Sequence, residues 1–292
     1  MIAARCQNTI ARPVVVSGFG YWSGEDIDVE FRPAPQNCGL NFLRRDIGPH
    51  ARIPVRPDLR VEVPRRTNLE WGEVRVEMVE HVLAALAGLQ IDNCEIWVDA
   101  AEMPGCDGSA LPFVESLQSA GIVAQPMPAR QLNVTESVRV TDGDSWIEAH
   151  PSAEGEFSIE FQLDYPHNPR IGRQSVHSVV TPESFQYELA PCRTFITESD
   201  AAQLTSQGMG TRVRTSDLLV FNEHGPIDNP LRFANECARH KALDVLGDLA
   251  LTGCDITGNI VAYRSGHRLN AALAKLLLER FASSKPEIRI SA

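Results

Sequence analysis

The stretch that decides the fold is R-H-K-A-L-D-V-L-G-D-L, residues 239–249, together with a similar stretch, V-E-H-V-L-A-A-L-A-G, at residues 79–88. In each stretch a histidine, His240 or His81, is followed seven residues later by a glycine. Each stretch then leads to a strand-like run that begins with a cysteine, an acidic residue and an isoleucine. We therefore predict a duplicated α+β unit whose two equivalent helices meet at one shared cleft.

Apolar periodicity and end signals place the helices. Apolar residues recur at three- and four-residue steps over 78–90, which predicts a helix there. A long helix is predicted to start with Asn229 as its N-cap and Pro230 in its first turn, and to end at Gly253. Two more helices are predicted, one near 109–121 with Ser109 as N-cap and Gly121 as stop, and one over 267–281.

The remaining sequence predicts strands and a boundary between two domains. Ile27, Val29 and Phe31 alternate with polar residues, which indicates a half-buried strand. Residues 122–132 contain two prolines and no periodicity. We place the boundary of two α+β domains there, with residues 1–126 in the first and 127–292 in the second.

Composition excludes several classes of protein. The chain has 292 residues, 43% of them hydrophobic, which is enough for a sizeable core. A net charge of −11 without any Lys/Arg block argues against nucleic acid as a partner. Seven scattered cysteines argue against a disulfide framework or a thiolate metal site. With no signal peptide and no run of about 18 apolar residues, we expect a cytoplasmic protein without a membrane-spanning segment.

Three residues have the spacing of a metal site. His240 and Asp244 are four residues apart on one helix face, where an imidazole and a carboxylate can share one ion. Taken alone, such a pair is more often an ordinary surface pair. His81 would complete three ligands and leave a fourth position for water, whose pKa zinc lowers to near 7. Glu80, beside His81, could then accept the proton of that water. The alternative interpretation is that the polar residues of the two predicted helices are unrelated and bind no common ion.

Three further residues are candidates for supporting roles. His267 lies in a turn before the last helix and could protonate a leaving amine. A histidine at the start of a helix is, however, more often an ordinary surface residue. Asp248 lies four residues beyond Asp244 and could fix the tautomer of a nearby histidine. Thr194 is either a buried strand-end hydroxyl or a donor to an oxyanion.

These motifs resemble the UDP-3-O-acyl-N-acetylglucosamine deacetylase family, which carries out the committed step of lipid A synthesis. The resemblance spans nearly the whole chain, with the motifs in family order. It rests on residues 79–94, D-G-S-A-L-P-F-V (107–114), R-T-F (193–195), residues 239–249 and S-G-H-R-L-N (265–270).

The resemblance implies a fold, a metal and a set of roles. The fold is two similar β-α-α-β domains packed as a sandwich, with the zinc site in the cleft between them. The cofactor is one catalytic Zn²⁺, with Fe²⁺ as an alternative in the cell. The partner is a UDP-linked acylated N-acetylglucosamine, for a monomer that could touch a membrane surface transiently. The residues implied are His81, His240 and Asp244 as ligands, Glu80 as base, His267 as acid with Asp248 behind it, Thr194 at the oxyanion, and Lys241, Phe195 and Asp200 facing substrate.

Three positions depart from the family's pattern. Trp22 stands where the family's G-x-G-L-H motif has histidine, and Met78 stands where threonine is usual before V-E-H. Thr211–Arg214 replaces a G-G-S run that shapes the acyl-chain passage, and arginine is a poor wall for an alkyl chain unless its head turns to solvent. Two alternatives therefore stay open: a divergent zinc amidase of the same fold acting on another N-acyl sugar or nucleotide, and a non-catalytic zinc-binding relative.

Overall fold

The first half of the chain is mainly strands, with two helices near its end. The computed structural model describes residues 5–48 and 50–282. The strands are β1 (Cys6–Ile10), β2 (Val14–Phe19), β3 (Asp26–Pro33), β4 (Leu40–Arg44), β5 (Arg52–Pro54), β6 (Arg60–Val61), β7 (Asn68–Trp71), β8 (Val74–Val76), β9 (Cys94–Val98) and β10 (Ile122–Pro128). The helices are α1 (Glu80–Gly88) and α2 (Leu111–Ala120), and Pro57–Leu59 forms a 3₁₀ turn.

The second half repeats this pattern of strands followed by helix, strand and helix. Its strands are β11 (Gln131–Asn133), β12 (Val138–Asp142), β13 (Ser145–His150), β14 (Phe157–Tyr165), β15 (Gly172–Val179), β16 (Phe195–Thr197), β17 (Leu219–Phe221) and β18 (Asp255–Tyr263). Its helices are α3 (Pro182–Ser184), α4 (Glu198–Ser206), α5 (Glu236–Leu249) and α6 (His267–Phe281), with a π turn at Phe185–Leu189 and a 3₁₀ turn at Ala250–Thr252.

The main sheets of the two halves have the same strand order. The first is β2-β3-β9-β4-β5 and the second is β12-β13-β18-β14-β15, with β11 added beside β18. In both sheets the strand that follows the first long helix enters the middle, antiparallel to one neighbour and parallel to the other. This identity of topology confirms the predicted α+β fold built from two similar units.

Helices α1 and α5 pack directly against each other, and α5 also lies against β14 and β15 of the second sheet. All residues of α1 except Ala87 are buried. Gly247 makes the close approach possible, because a Cβ at this position would lie 2.1 Å from the carbonyl oxygen of Glu80. The backbone that carries Glu80 and His81 therefore rests directly on the helix that carries His240.

Two predicted helix starts are wrong. Helix α5 begins at Glu236, not after Asn229, because the side chain of Asn229 is used elsewhere: it accepts from Arg193 and donates to the carbonyl of Thr215 at 2.7 Å. The N-cap of α2 is Ala110. Ser109, predicted as that cap, lies one residue earlier, donates to Asp107 at 2.7 Å and accepts from the N–H of Leu111 at 3.2 Å.

The segment predicted to be irregular contains a strand. Residues Ile122–Pro128 form β10, which pairs antiparallel with β1 at the start of the described chain. Pro126 and Pro128 are compatible with this position because β10 pairs with one strand only. The division into domains at 126/127 crosses β10 and stays a prediction. In the described ranges, no helix has the length and apolarity needed to cross a membrane.

Candidate active site

Two histidines and one aspartate meet where α1 packs on α5. Potential ligand atoms of His81, His240 and Asp244 all lie within 4.8 Å of one another, and all three residues are buried. Oδ1 of Asp244 is 3.7 Å from Nε2 of His81 and 3.5 Å from Nε2 of His240. One ion placed between these atoms could contact all three, as the spacing of His240 and Asp244 predicts.

The donor atoms fit a metal such as zinc. Oδ1 of Asp244 is buried and has no hydrogen-bond partner in residues 5–48 and 50–282, which is costly for a carboxylate unless a cation is its partner. Burial opposes its charge, but the ammonium of Lys241, 2.6 Å from Oδ2, holds the pKa of Asp244 well below its usual range. Two imidazole nitrogens and one carboxylate oxygen form a common catalytic zinc set.

His240 is held in the form that binds metals. Burial lowers its pKa to about 4, so the imidazole is neutral at pH 7. Its Nδ1 lies 3.1 Å from the carbonyl oxygen of Cys192, which can only accept, so Nδ1 carries the proton. Nε2, on the other side of the ring, is left with a free lone pair that faces Asp244 and His81.

The segment that supplies this carbonyl is anchored by a buried ion pair. Arg193 Nε donates to Glu236 at 2.8 Å, and both side chains are almost fully buried. The Arg193 guanidinium also donates to the carbonyl of Pro230 at 2.8 Å. The pair fixes the chain around Cys192 to the first turn of α5.

Glu80 has the environment of a general base. Its carboxylate is buried and accepts a hydrogen bond from the backbone N–H of Thr67 at 2.9 Å. Burial raises its pKa, while the nearby imidazoles of His267 and His81 act in the opposite direction. A raised pKa brings a carboxylate closer to the range in which it can accept a proton at neutral pH.

His267 has the environment of a general acid. Nδ1 of its ring donates to Oδ2 of Asp248 at 2.9 Å. Burial opposes the charge on the ring, but the Asp248 carboxylate outweighs it and raises the pKa of His267 to about 9. The imidazole is therefore protonated at neutral pH and can give up a proton through Nε2.

A cavity of about 980 Å³ joins these groups to the surrounding surface. Every predicted site residue except Asp248 contributes to its wall: Glu80, His81, Thr194, Phe195, Asp200, His240, Lys241, Asp244 and His267. Asp248 is fully buried behind His267. Phe195 packs edge-on against the ring of His240, with the centroids 6.3 Å apart.

One wall of the cavity is apolar. Tyr21, Leu218 and Val220 form a small buried cluster beside the cavity, with Trp22 and Met78 packed against it. Trp22 and Met78, the positions predicted to depart from the family's pattern, thus add largely apolar side chains to this wall. A guanidinium from Arg66 lies 4.3 Å above the ring of Trp22.

The two arginines of Thr211–Arg214 lie differently with respect to the cavity. Arg212 turns its guanidinium away to Asp26, 2.7 Å distant, and donates to the carbonyl of Gly24 at 2.9 Å. Its guanidinium also lies 4.4 Å over the ring of Phe19. Val213 and Arg214 contribute to the cavity wall. Arg212 thus has its charge compensated outside the cavity, whereas Arg214 is part of the cavity wall.

Sequence reasoning missed two side chains of the site. Thr67 contacts both Glu80 and Asp248, and Asn270 donates to Oδ2 of Asp248 at 2.9 Å. Asn270 lies three residues after His267 on α6, and this spacing was a usable signal. Thr67 lies in a loop without periodicity, and the sequence around it gives no indication of its contacts.

The fold and the site together define a metalloenzyme of the hydrolase class. A model of the LpxC family, described as UDP-3-O-acyl N-acetylglycosamine deacetylase, matches residues 7–279, and the chain belongs to this family. The family resemblance inferred from the motifs is thereby confirmed.

Relatives named UDP-3-O-acyl-N-acetylglucosamine deacetylase align with most of the chain. The protein of Anaeromyxobacter sp. (strain Fw109-5) is 40% identical over 274 residues, which is 93% of this chain and 88% of that protein. The one from Anaeromyxobacter dehalogenans (strain 2CP-C) is also 40% identical, over 93% and 87% of the two chains. The one from Shewanella sp. (strain W3-18-1) is 38% identical, over 93% and 89%.

Proposed function

We propose that this protein hydrolyses the N-acetyl group of UDP-3-O-acyl-N-acetylglucosamine, releasing acetate and a free amine, as a step of lipid A synthesis in the cytoplasm. The observation that carries the proposal is that Oδ1 of Asp244, to which none of the described residues donates a hydrogen bond, faces Nε2 of two histidines, with Glu80 and His267 in the wall of the same cavity. We assign His81, His240 and Asp244 as ligands of one Zn²⁺, with Fe²⁺ as the alternative.

The chemistry follows from the positions of the acid and the base. Zinc held by His81, His240 and Asp244 would supply Lewis-acid polarisation of the amide carbonyl and would lower the pKa of water. Glu80 takes a proton from the attacking water as the new C–O bond forms at the acetyl carbon. His267 gives a proton to the amide nitrogen as the C–N bond breaks, so that the amine leaves in neutral form. Asp248 keeps the His267 ring oriented throughout.

The remaining predicted residues bind substrate in this proposal. The hydroxyl of Thr194 donates to the oxyanion that develops on the carbonyl oxygen. Lys241 adds positive charge beside the same atoms, and Phe195 and Asp200 contact the sugar nucleotide from the cavity wall. The apolar wall beside Trp22 and Met78 accommodates the 3-O-acyl chain, because an alkyl chain gains from leaving water there.

The test is deacetylation of UDP-N-acetylglucosamine with and without the 3-O-acyl chain. We expect turnover that depends on the chain, that is lost in Glu80→Ala, and that chelation abolishes and zinc restores. Turnover indifferent to the chain would instead support the divergent amidase. Zinc binding without turnover, unaffected by Glu80→Ala, would support the non-catalytic relative. Iron reconstitution in parallel identifies the preferred metal.

A further inference from the structure

Thr67 contacts the proposed base, Glu80, and the carboxylate of Asp248, which orients the proposed acid. It lies in the loop before β7 and is fully buried. Its backbone N–H donates to Oε2 of Glu80 at 2.9 Å, and its hydroxyl donates to Oδ1 of Asp248 at 2.5 Å. One residue thus bonds to the base and to the carboxylate that orients the acid.

The Thr67 hydroxyl supplies one of the hydrogen bonds that the carboxylate of Asp248 accepts. Its Oδ2 accepts from Nδ1 of His267 and from the amide of Asn270, both at 2.9 Å. Its Oδ1 accepts from Thr67. Because the residue is fully buried, loss of the Thr67 hydroxyl leaves Oδ1 without that donor and frees the carboxylate to rotate. A rotated carboxylate would carry the His267 ring with it.

Thr67 cannot act by touching the substrate. It is absent from the cavity wall that contains Glu80 and His267. General acid and base catalysis requires heavy-atom distances of about 2.6–3.2 Å to the transferred proton, so small displacements of either group are costly. We propose that Thr67 is a positioning residue that holds the base Glu80 and the Asp248–His267 pair in fixed relation to each other. This inference rests on the proposed function for its catalytic readout.

The test compares variants that differ by one hydroxyl. Thr67→Val keeps the shape but removes the donor, Thr67→Ser keeps the donor, and Thr67→Ala is a second hydroxyl-free variant in case valine prevents folding. Thr252→Val is the matched control, because Thr252 is also buried but donates its hydroxyl to the carbonyl of Leu249 at 2.8 Å, at the end of α5. All variants are assayed zinc-loaded, with bound metal measured.

We expect Thr67→Val to lower kcat by about 10- to 100-fold, the usual effect of losing a partner behind a reacting group, with KM and bound zinc unchanged. Thr67→Ser should recover kcat to within about threefold of wild type, since it restores the hydrogen bond to Asp248. Thr252→Val should lower stability but leave kcat unchanged. A wild-type kcat in the hydroxyl-free variants, or an equal loss of kcat in Thr252→Val, would overturn the proposal.

A spectroscopic readout separates this proposal from the proposed function. The Nδ1 proton of His267 can be observed by NMR in protein labelled with ¹⁵N-histidine. We expect its resonance to shift or broaden in Thr67→Val and Thr67→Ala and to be retained in Thr67→Ser and Thr252→Val. If wild-type protein fails to deacetylate the acylated substrate, the proposed function is refuted, but this resonance still tests the role of Thr67. An unchanged resonance in both hydroxyl-free variants would refute the positioning role of Thr67.

Discussion

Replacing Gly247 by alanine should separate the two helices that form the site. The added Cβ would lie 2.1 Å from the carbonyl oxygen of Glu80 and 2.9 Å from its carbonyl carbon. A close carbon–oxygen contact needs about 3.3 Å, so α1 and α5 must move apart by roughly 1 Å. The clash is with backbone atoms, which cannot rotate away as a side chain can.

The magnitude follows from two opposing effects. Overpacking of this kind costs about 1–3 kcal/mol, and the fixed backbone places Gly247→Ala at the upper end. The higher helix propensity of alanine relative to glycine stabilises the folded state by about 1 kcal/mol and offsets part of this cost. We therefore expect a net loss of about 2 kcal/mol, or a fall in Tm of roughly 3 °C by calorimetry for a chain of 292 residues. Because Glu80 and His81 shift with α1, deacetylase activity should fall by about 100-fold.

Gly88→Ala is the matched control from the other half of the repeat. A Cβ there would lie 2.1 Å from the ring of Phe185, at the end of α1 remote from Glu80. It should also lower Tm, but it should leave most of the activity. If Gly247→Ala melts like wild type and keeps full activity, the close packing of α1 on α5 is refuted.

Three other measurements test other parts of the molecule. Asp244→Asn should bind far less zinc by elemental analysis while keeping wild-type circular dichroism, since the amide lacks the charge that the cation balances; full zinc content would argue against the ligand assignment. Arg193→Met should lower the free energy of unfolding in urea by about 3–5 kcal/mol, because Glu236 loses its buried partner; a change below about 1 kcal/mol would contradict that pairing. Burial raises the pKa of Cys94 and Cys237 to about 12, so at pH 8 both are thiols and should resist Ellman's reagent until the protein is denatured; rapid labelling of either in native protein would contradict its burial.

Local patterns were sufficient to predict the helices whose ends depend on their own residues. Helix α6 spans His267–Phe281 as its periodicity predicts, and Gly121 ends α2 with φ of 76°, a conformation that suits glycine. The start of α5 was missed because tertiary partners engage Asn229, which a sequence window cannot show. Strand β10 was missed because its partner, β1, lies more than a hundred residues earlier in the chain.

For the site, too, local spacing predicted some residues, whereas contacts between distant parts of the chain could not be predicted. Helical spacing suggested that His240 and Asp244 share an ion, and the repeat suggested His81 as a third partner; the structure brings these three side chains together. The predicted roles of Lys241, Phe195 and Asp200 came from resemblance alone, since no spacing rule selects them, and the resemblance also chose between the two interpretations of Thr194. Thr67 was out of reach because its two bonds join a loop to two different helices.

The two halves of the repeat contribute unequally to the cluster of candidate metal ligands. His81 and His240 are equivalent positions of the repeat, and their rings meet with centroids 5.1 Å apart, so the two copies create one shared centre instead of two. Four residues after each histidine, however, the second copy has Asp244 and the first has Ala85. By the same four-residue spacing, an aspartate at position 85 would add a fourth candidate ligand to the three side chains that the structure brings together. With the small, buried Ala85 there instead, an ion held by His81, His240 and Asp244 would keep a fourth coordination position for water and substrate.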